Sequence, residues 1–158
     1  KVVVCGGGGA ARALSVEVAL AGASHITIVN RSAEKGEELT YLLQDNLPCK
    51  ANFTHWQGAY SIPNETDVVI NATSIGLFPD LNARLDFDLN SLTSNMVVAD
   101  VIPNPPKTHL VRSAREKGCK VIDGLGMLVN QGVIGIKHWT GIDPDPSVMR
   151  AALEKVFG

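Results

Sequence analysis

Short apolar runs alternate along the chain with longer stretches in which hydrophobic positions recur every three or four residues. The apolar runs predict six strands, at residues 2–5, 26–30, 51–54, 68–71, 96–101 and 120–122. The amphipathic stretches predict helices at about 10–21, 33–44, 107–117, 128–139 and 147–156. Strands that alternate with helices of this length form βαβ units, and right-handed crossovers then make the strands parallel.

The strands themselves indicate where the helices lie. The runs VVVC and DVVI are apolar at nearly every position, as expected for strands that are covered on both faces. The length of 158 residues and the hydrophobic content of 45% fit one domain with its own core. We therefore predict a single doubly wound α/β domain over residues 1–158, with a mostly parallel six-stranded sheet and helices on both faces.

The first candidate site follows the first strand. In VCGGGGAARA, Gly6, Gly8 and Ala11 form a GxGxxA pattern between a strand and a helix. Such a turn brings the backbone close to a pyrophosphate, which the free N–H groups of the helix N-terminus can bind. This is the Rossmann type of dinucleotide site, and its predicted phosphate-binding residues are Gly6, Gly7, Gly8, Gly9 and Ala10. The alternative is a tight βα turn that binds nothing.

The end of the second strand indicates which dinucleotide binds. NAD-binding proteins place an Asp or Glu there to accept hydrogen bonds from the ribose 2′-hydroxyl. Here the strand ends in VNRS, and the predicted 2′-phosphate ligands are Asn30, Arg31, Ser32 and Lys35. Two charge-assisted hydrogen bonds of about 1.5–3 kcal/mol each would favour NADP over NAD by about a hundredfold or more. The alternative is that Ser32 only caps the next helix and the two cations are surface charges.

Composition excludes several other classes of function. The net charge of −2 and the absence of a Lys/Arg cluster argue against nucleic-acid binding. Apolar runs of four to six residues are too short to span a membrane. The three cysteines form no CxxC motif, and no His, Cys or carboxylate spacing suggests a metal site. The predicted compartment is the cytoplasm.

Three further motifs make the prediction more specific: DVVINATSIGL at 67–77, DVIPNPPKTHLVRSAREKG at 100–118 and VIDGLGMLVNQG at 121–132. Together with GGGGAARA and VNRS, and in this order, they resemble the NADP-binding domain of the shikimate/quinate dehydrogenase family. The resemblance covers essentially the whole chain. It implies NADP-linked interconversion of 3-dehydroshikimate and shikimate, a step toward aromatic amino acids.

The same resemblance implies roles for individual residues. Thr73 and Ser74 would lie along the cofactor, and Val101 would lie beside its nicotinamide end. Gly124 and Met127 would contact the nicotinamide itself, with the glycine-rich turn leaving room for the ring. The resemblance also implies that Gln131 contacts the hydroxyl groups of the small-molecule substrate. From the residues alone, Met127 could equally fill the core and Gln131 could be an ordinary surface amide.

Two departures from the family pattern affect the prediction. The family commonly has a tyrosine three residues after the position of Asp100, where this chain has Pro103. This leaves shikimate, quinate or a related substrate open. The family's catalytic lysine and aspartate belong to an N-terminal substrate domain, and nothing in this sequence matches that domain.

The sequence therefore contains no predicted catalytic residue. The chain starts at Lys1 directly before its first strand, and we expect a fragment that shares its substrate with a missing N-terminal domain and is inactive alone. Two alternatives remain at this point. One is another NADP-dependent enzyme, such as a glutamyl-tRNA reductase or a methylene-tetrahydrofolate dehydrogenase, and the other is a non-catalytic NADP-binding module.

Overall fold

The structure is a computed structural model that describes residues 1–157. Its strands are β1 (Val2–Cys5), β2 (His25–Asn30), β3 (Lys50–His55), β4 (Tyr60–Ser61), β5 (Val68–Asn71), β6 (Phe87–Asp88), β7 (Val97–Asp100) and β8 (Lys120–Ile122). Its α-helices are α1 (Gly9–Leu20), α2 (Ala33–Asn46), α3 (His109–Glu116), α4 (Gly124–Thr140) and α5 (Pro146–Phe157). A short 3₁₀ helix covers Leu89–Ser91.

Six strands form one parallel sheet in the order β3-β2-β1-β5-β7-β8, and β4 pairs with β6 in a separate two-stranded sheet. The predicted doubly wound parallel sheet is confirmed. The chain starts at the centre of the large sheet, builds outward through β2 and β3, and then returns to the other side of β1. This reversal places the carboxyl ends of β1 and β5 side by side, which is where open α/β sheets bind ligands.

The core has two layers because alternate residues of each strand face opposite sides of the sheet. On β1, Val2 and Val4 belong to one buried cluster, whereas Val3 and Cys5 belong to the other. The first cluster includes residues of α1 and α2, and the second includes residues of α3. The helices therefore cover both faces of the sheet, as the apolar strands predict.

Helix α4 differs from the prediction at its start. It begins at Gly124 rather than near residue 128, so the glycine-rich stretch GLGM forms the first helical turn instead of a loop. The carboxylate of Asp123 caps this turn by accepting a hydrogen bond from the backbone N–H of Gly126 at 3.0 Å. Helix α5 packs back on α4 at Gly132, where a β-carbon would come within 2.5 Å of the Met149 methyl group.

None of the helices within residues 1–157 is long and apolar enough to cross a membrane.

Candidate functional site: two clefts at the carboxyl edge of the sheet

Two clefts open at the edge where the parallel strands end. The first, which we call the polar cleft, has a volume of about 340 Å³ and is lined by Gly7, Gly8, Asn30, Arg31, Ser32, Lys35, Trp56, Ala72, Thr73 and Ser74. Its walls come from the turns after β1, β2 and β5 and from the residue after β3. The sheet topology thus brings together the predicted glycine turn, the VNRS segment and the Thr73–Ser74 pair.

The turn after β1 fits the sheet so closely that a β-carbon on either of two of its glycines would meet a neighbour at 2.8 Å. Gly6 has a φ of +117°, and a β-carbon there would lie 2.8 Å from the carbonyl oxygen of Ala72. A β-carbon on Gly7 would lie 2.8 Å from Nδ2 of Asn30. Gly8 and Gly9, by contrast, have nothing within 4 Å in that direction. The turn therefore presents open backbone toward the cleft.

The N-terminus of α1 lies at this open backbone. Gly8 is the N-cap residue and provides no side chain to bond the first N–H groups of the helix, and no acidic residue lies in the first turn. Gly9 and Ala10, the first two residues of the helix, are exposed. Free N–H groups and the positive end of the helix dipole bind anions. This local structure is suited to an anion, and the pyrophosphate site itself stays a prediction.

The VNRS segment is held in place by local hydrogen bonds that leave its cations free. Nδ2 of Asn30 donates to the carbonyl oxygen of Ser32 at 2.9 Å. The Ser32 hydroxyl accepts from the backbone N–H of Lys35 at 3.4 Å, which confirms it as the N-cap of α2. The side chains of Arg31 and Lys35 are exposed, and no carboxylate lines the cleft. This end of the cleft is therefore suited to an anion.

The opposite wall rests on a buried carboxylate. Asp100 is 3% exposed and accepts hydrogen bonds from the Asn71 amide at 3.0 Å, the Thr108 hydroxyl at 2.7 Å and the backbone N–H of Ile102 at 3.1 Å. Asn71 in turn accepts from the Thr73 hydroxyl at 2.7 Å. Burial raises the pKa of Asp100, although the three hydrogen bonds act in the opposite direction. Asp100 thus links the ends of β5 and β7 and fixes the loop that carries Thr73.

The second cleft, which we call the apolar cleft, has a volume of about 410 Å³. Its lining is Leu14, Ile70, Ala99, Asp100, Val101, Ile122, Asp123, Gly126, Met127, Asn130, Gln131 and Ile134. No Lys or Arg lines it. Two of the predicted cofactor contacts, Val101 and Met127, and the predicted substrate contact Gln131 therefore lie together in one cleft.

The two carboxylates of the apolar cleft are already engaged. Asp100 serves the network described above. Asp123 accepts from Arg150 of α5 at 3.0 Å as well as from Gly126, and Nη2 of Arg115 lies 3.9 Å from its Oδ2. Burial alone would raise the pKa of Asp123, but the hydrogen bonds and cations outweigh it and the pKa is lowered. Asp123 is thus an ionised cap and a brace between two helices.

Gly124 has a different position from the one expected. It is buried, and a β-carbon there would lie 2.3 Å from the carbonyl oxygen of Ile102. It therefore allows α4 to start directly against the backbone that follows β7, and it is not part of the lining of either cleft. Its contact with the nicotinamide stays a prediction. Pro103 is half-buried and likewise lies outside both linings.

Two lining residues were missed by the sequence reasoning, Trp56 in the polar cleft and Asn130 in the apolar cleft. Trp56 follows β3 directly, so its place at a strand end could have indicated a site residue. Asn130 precedes Gln131 on α4. The sequence predicted that this helix begins near residue 128, four residues later than it does, and so did not show how close Asn130 lies to the strand ends.

The described residues contain no group of three or more His, Cys, Asp or Glu side chains that could hold a metal ion. None of the four histidines lines either cleft. The three cysteines are free, and burial raises the pKa of Cys5 far above its ordinary value. The apolar cleft therefore has no lining His, Cys or Lys, and its two carboxylates are engaged in structural hydrogen bonds, so it offers no free side chain to protonate a carbonyl substrate.

Comparison with known proteins relates the whole chain to one family. The sequence profile of the shikimate 5′-dehydrogenase C-terminal domain matches residues 124–154. The NADP(+)-dependent shikimate dehydrogenase of Alkaliphilus metalliredigens is 37% identical over an alignment of 158 positions, which covers 98% of this chain and 55% of that protein. The chain thus spans about half the length of the curated relatives that it matches.

Solved structures extend the comparison to the fold. The ligand-free 5-ketofructose reductase of Gluconobacter sp. strain CHM43 is 52% identical, with a TM-score of 0.93 over 99% of this chain and 56% of that chain. A shikimate dehydrogenase in complex with NADP+ is 34% identical, with a TM-score of 0.84 over 99% of this chain and 54% of that one. Both alignments cover all the strands that form the two clefts. The chain therefore belongs to the shikimate dehydrogenase family and corresponds to the C-terminal domain of its members.

Proposed function

We propose that this chain is the NADP-binding domain of a two-domain, NADP-dependent dehydrogenase of the shikimate dehydrogenase family. The observation that carries the proposal is the polar cleft. It is lined both by the open glycine turn after β1 and by the two free cations that follow β2, Arg31 and Lys35. The shikimate dehydrogenase in complex with NADP+ supports the choice of cofactor, since it aligns with nearly the whole chain. The cytoplasm stays the predicted location of such a protein.

The residues of the polar cleft fit the phosphate groups of NADP. The pyrophosphate would bind at the exposed turn of Gly8 and Gly9. A side chain on either glycine would occupy the space that the phosphate groups need. The 2′-phosphate would bind at Arg31 and Lys35, because their charges are free and no lining carboxylate repels it. Thr73 and Ser74 would lie along the adenosine part of the cofactor.

The apolar cleft fits the other end of the cofactor and one side of the substrate. NADP supplies the hydride chemistry when bound, and the protein must orient the ring and exclude water. Met127 and Val101 provide an apolar surface for the ring. Gln131 is exposed within the cleft, and its amide can donate to and accept from a hydroxyl group of the substrate.

We infer that the substrate pair of the whole protein is shikimate and 3-dehydroshikimate, with quinate as the close alternative. Curated relatives at 36–38% identity carry the shikimate assignment. The proton donor would come from the part of the protein that lies outside this chain, because the acids of the clefts are engaged in structural hydrogen bonds. This chain alone is therefore expected to bind NADP without oxidising shikimate.

A second candidate reaction is the NADPH-dependent reduction of 5-ketofructose. The specific observation in its favour is the 52% identity to the Gluconobacter 5-ketofructose reductase, which exceeds the identity to the shikimate dehydrogenases reported above. Pro103 at the family's usual tyrosine position is also consistent with a changed substrate. Both candidates use the same cofactor cleft and differ in the hydroxylated carbonyl compound that would enter the apolar cleft.

A direct experiment separates these possibilities. The whole protein is assayed with shikimate, quinate and NADP+, and with 5-ketofructose and NADPH, and kcat/KM is compared. The 158-residue chain serves as the control for catalysis, and calorimetry with NADP+ serves as the test of cofactor binding. Shikimate oxidation by the isolated chain would refute the two-domain proposal, and equal affinity for NADP+ and NAD+ would refute the assignment of the VNRS segment.

A further inference from the structure

The polar cleft contains one residue that none of the predicted phosphate contacts explains. Trp56 lines the cleft and is its only aromatic residue, yet just 7% of its surface is exposed. Most of the indole ring belongs to the core cluster on the α3 side of the sheet. Only a small part of Trp56 therefore reaches the cleft, among polar and charged neighbours.

The indole ring of Trp56 is fixed in position. The indole Nε1–H of Trp56 donates to the carbonyl oxygen of Asp86 at 3.1 Å, and its ring lies against Phe87 with centroids 5.3 Å apart. The backbone N–H of Trp56 donates to the carbonyl oxygen of Asn30 at 3.0 Å. The ring is thus fixed by the β6 region, and the backbone of Trp56 is bonded to the VNRS segment.

The ties to VNRS determine which part of a ligand the ring would meet. The imidazole of the preceding residue, His55, lies 3.0 Å from the carbonyl oxygen of Arg31, so the end of β3 runs beside the predicted 2′-phosphate ligands. The phosphate contacts at Gly8 and Gly9 come from a different strand end. The indole N–H of Trp56 is already bonded to Asp86 and is not available to a phosphate, whereas apolar ring atoms can pack against a base or a ribose.

We propose that Trp56 is the fixed apolar wall of the adenosine end of the cleft and that it contributes to cofactor affinity. This inference rests on the proposed function, since it takes NADP as the ligand. Because the ring is already immobile, no side-chain entropy is lost when the adenosine part binds. Trp56 is a binding residue and takes no part in hydride transfer.

The two tryptophans of the chain allow a selective test. Trp139 is 81% exposed on α4 and lines neither cleft, so Trp139→Phe leaves Trp56 as the sole source of tryptophan fluorescence. This variant is titrated with 2′,5′-ADP, which carries the adenosine half of NADP, and with nicotinamide mononucleotide, which carries the other half. Calorimetry with the same two compounds measures binding independently of fluorescence.

The expected result is a saturable change in Trp56 emission with 2′,5′-ADP, at the Kd measured by calorimetry, and no change with nicotinamide mononucleotide at equal concentration. Binding of 2′,5′-ADP without a change in emission would overturn the inference and leave the proposed function intact. If calorimetry detects no binding of 2′,5′-ADP or NADP+, the proposed function fails and the inference with it.

A substitution measures the contribution to affinity. Trp56→Phe keeps an aromatic ring against Phe87, but this ring is smaller than the indole, so it leaves less apolar surface for the cleft. We expect it to raise the Kd for 2′,5′-ADP about three- to tenfold and to leave the Kd for nicotinamide mononucleotide unchanged. Circular dichroism confirms the fold of the variant, and an unchanged Kd for 2′,5′-ADP in the folded variant would also overturn the inference.

Discussion

The two clefts lie on the same edge of one sheet but are lined by groups of different polarity. The polar cleft presents backbone N–H groups and two free cations, and its loops are fixed before any ligand arrives. The apolar cleft presents aliphatic side chains, and its two carboxylates are committed to structural hydrogen bonds. The polar cleft is therefore suited to bind an anionic ligand, whereas the apolar cleft mainly excludes water.

This difference indicates how the work is divided in the proposed two-domain enzyme. Cofactor affinity would reside in this chain, because the phosphate ligands of the polar cleft are complete. Substrate affinity and proton transfer would need the rest of the protein, because the apolar cleft offers only amides for polar recognition. Substitutions in the two clefts should therefore affect different constants.

Gly6→Ala, in the turn after β1 that borders the polar cleft, is expected to affect both the stability of the fold and cofactor affinity. The new methyl group would lie 2.8 Å from the Ala72 carbonyl oxygen in a backbone conformation with a φ of +117°. We expect a loss of about 1–3 kcal/mol in the free energy of unfolding and at least a tenfold loss in NADP+ affinity. Denaturant unfolding and calorimetry measure the two quantities.

Gly22→Ala is the matched control for this substitution. Gly22 has a φ of +101° but nothing within 4 Å of a β-carbon, and it lies far along the chain from the turn after β1. It should cost about 1 kcal/mol through backbone strain alone and leave NADP+ affinity unchanged. Equal affinity losses in the two variants would show that the turn does not hold the pyrophosphate.

The next effect concerns the choice between NADP and NAD. The double substitution Arg31→Ala and Lys35→Ala removes two charge-assisted hydrogen bonds to the predicted 2′-phosphate, each worth about 1.5–3 kcal/mol. NADP+ affinity should fall about a hundredfold or more while NAD+ affinity stays nearly constant. Lys50→Ala and Arg112→Ala, at exposed positions outside the cleft, provide the charge-matched control. A parallel loss of NAD+ affinity would contradict the assignment.

A smaller effect is expected in the apolar cleft. Gln131→Ala in the whole protein removes one neutral hydrogen bond to the substrate, worth about 0.5–1.5 kcal/mol. The KM for the substrate should rise about three- to tenfold, and the Kd for NADP+ should not change. Gln57→Ala, an exposed amide outside both linings, is the control. If NADP+ affinity falls instead, Gln131 serves the cofactor and the proposed division between the clefts is wrong.

The smallest effects are pH dependences of stability that differ in sign between two carboxylates of the apolar cleft. Burial raises the pKa of Asp100 above its ordinary value of 3.8, so the folded protein holds this proton to higher pH than the unfolded chain does. Relative to Asp100→Asn, the wild type should therefore lose stability as pH rises from about 3.8 through the raised pKa.

Asp123 should behave in the opposite way. Its lowered pKa means that it stabilises the fold above the ordinary value of 3.8, and this contribution is lost as pH falls through the lowered pKa. Relative to Asp123→Asn, which keeps a capping side chain, the wild type should gain at most about 1 kcal/mol on going from acid to neutral pH, because Arg150 is partly exposed. Denaturant titrations between pH 2.5 and about 6 measure both differences. The same sign for the two residues would show that their environments are misassigned.

The sequence predicts the sheet well because each strand is marked by its own composition. Buried parallel strands need apolar residues on both faces, so runs such as VVVC stand out without knowledge of the neighbouring strands. Right-handed crossovers make these strands parallel, whereas their order in the sheet was not predicted and comes from the structure. The polar cleft could be predicted for the same reason, since its residues follow these strands directly.

The apolar cleft was harder to predict because it depends on contacts between distant segments. Gly124 and Gly126 suggested a loop, but Asp123 caps them into a helix, and Gly124 lets that helix start against the backbone of Ile102. That contact joins segments more than twenty residues apart and has no local pattern. Trp56 was missed for a similar reason, since a mostly buried tryptophan after a strand is compatible with a role in the core alone.

The hydrogen bonds between Arg150 and Asp123 give the last helix a part in positioning the clefts. Asp123 caps the start of α4, and α4 carries Met127 and Gln131 at the apolar cleft. Met149 of α5 packs against Gly132, which directly follows Gln131. The orientation of α4 is therefore set jointly by the strand before it and by the final helix behind it. A protease cut or a fused tag near residue 150 would act as a remote perturbation of substrate recognition, without touching either cleft.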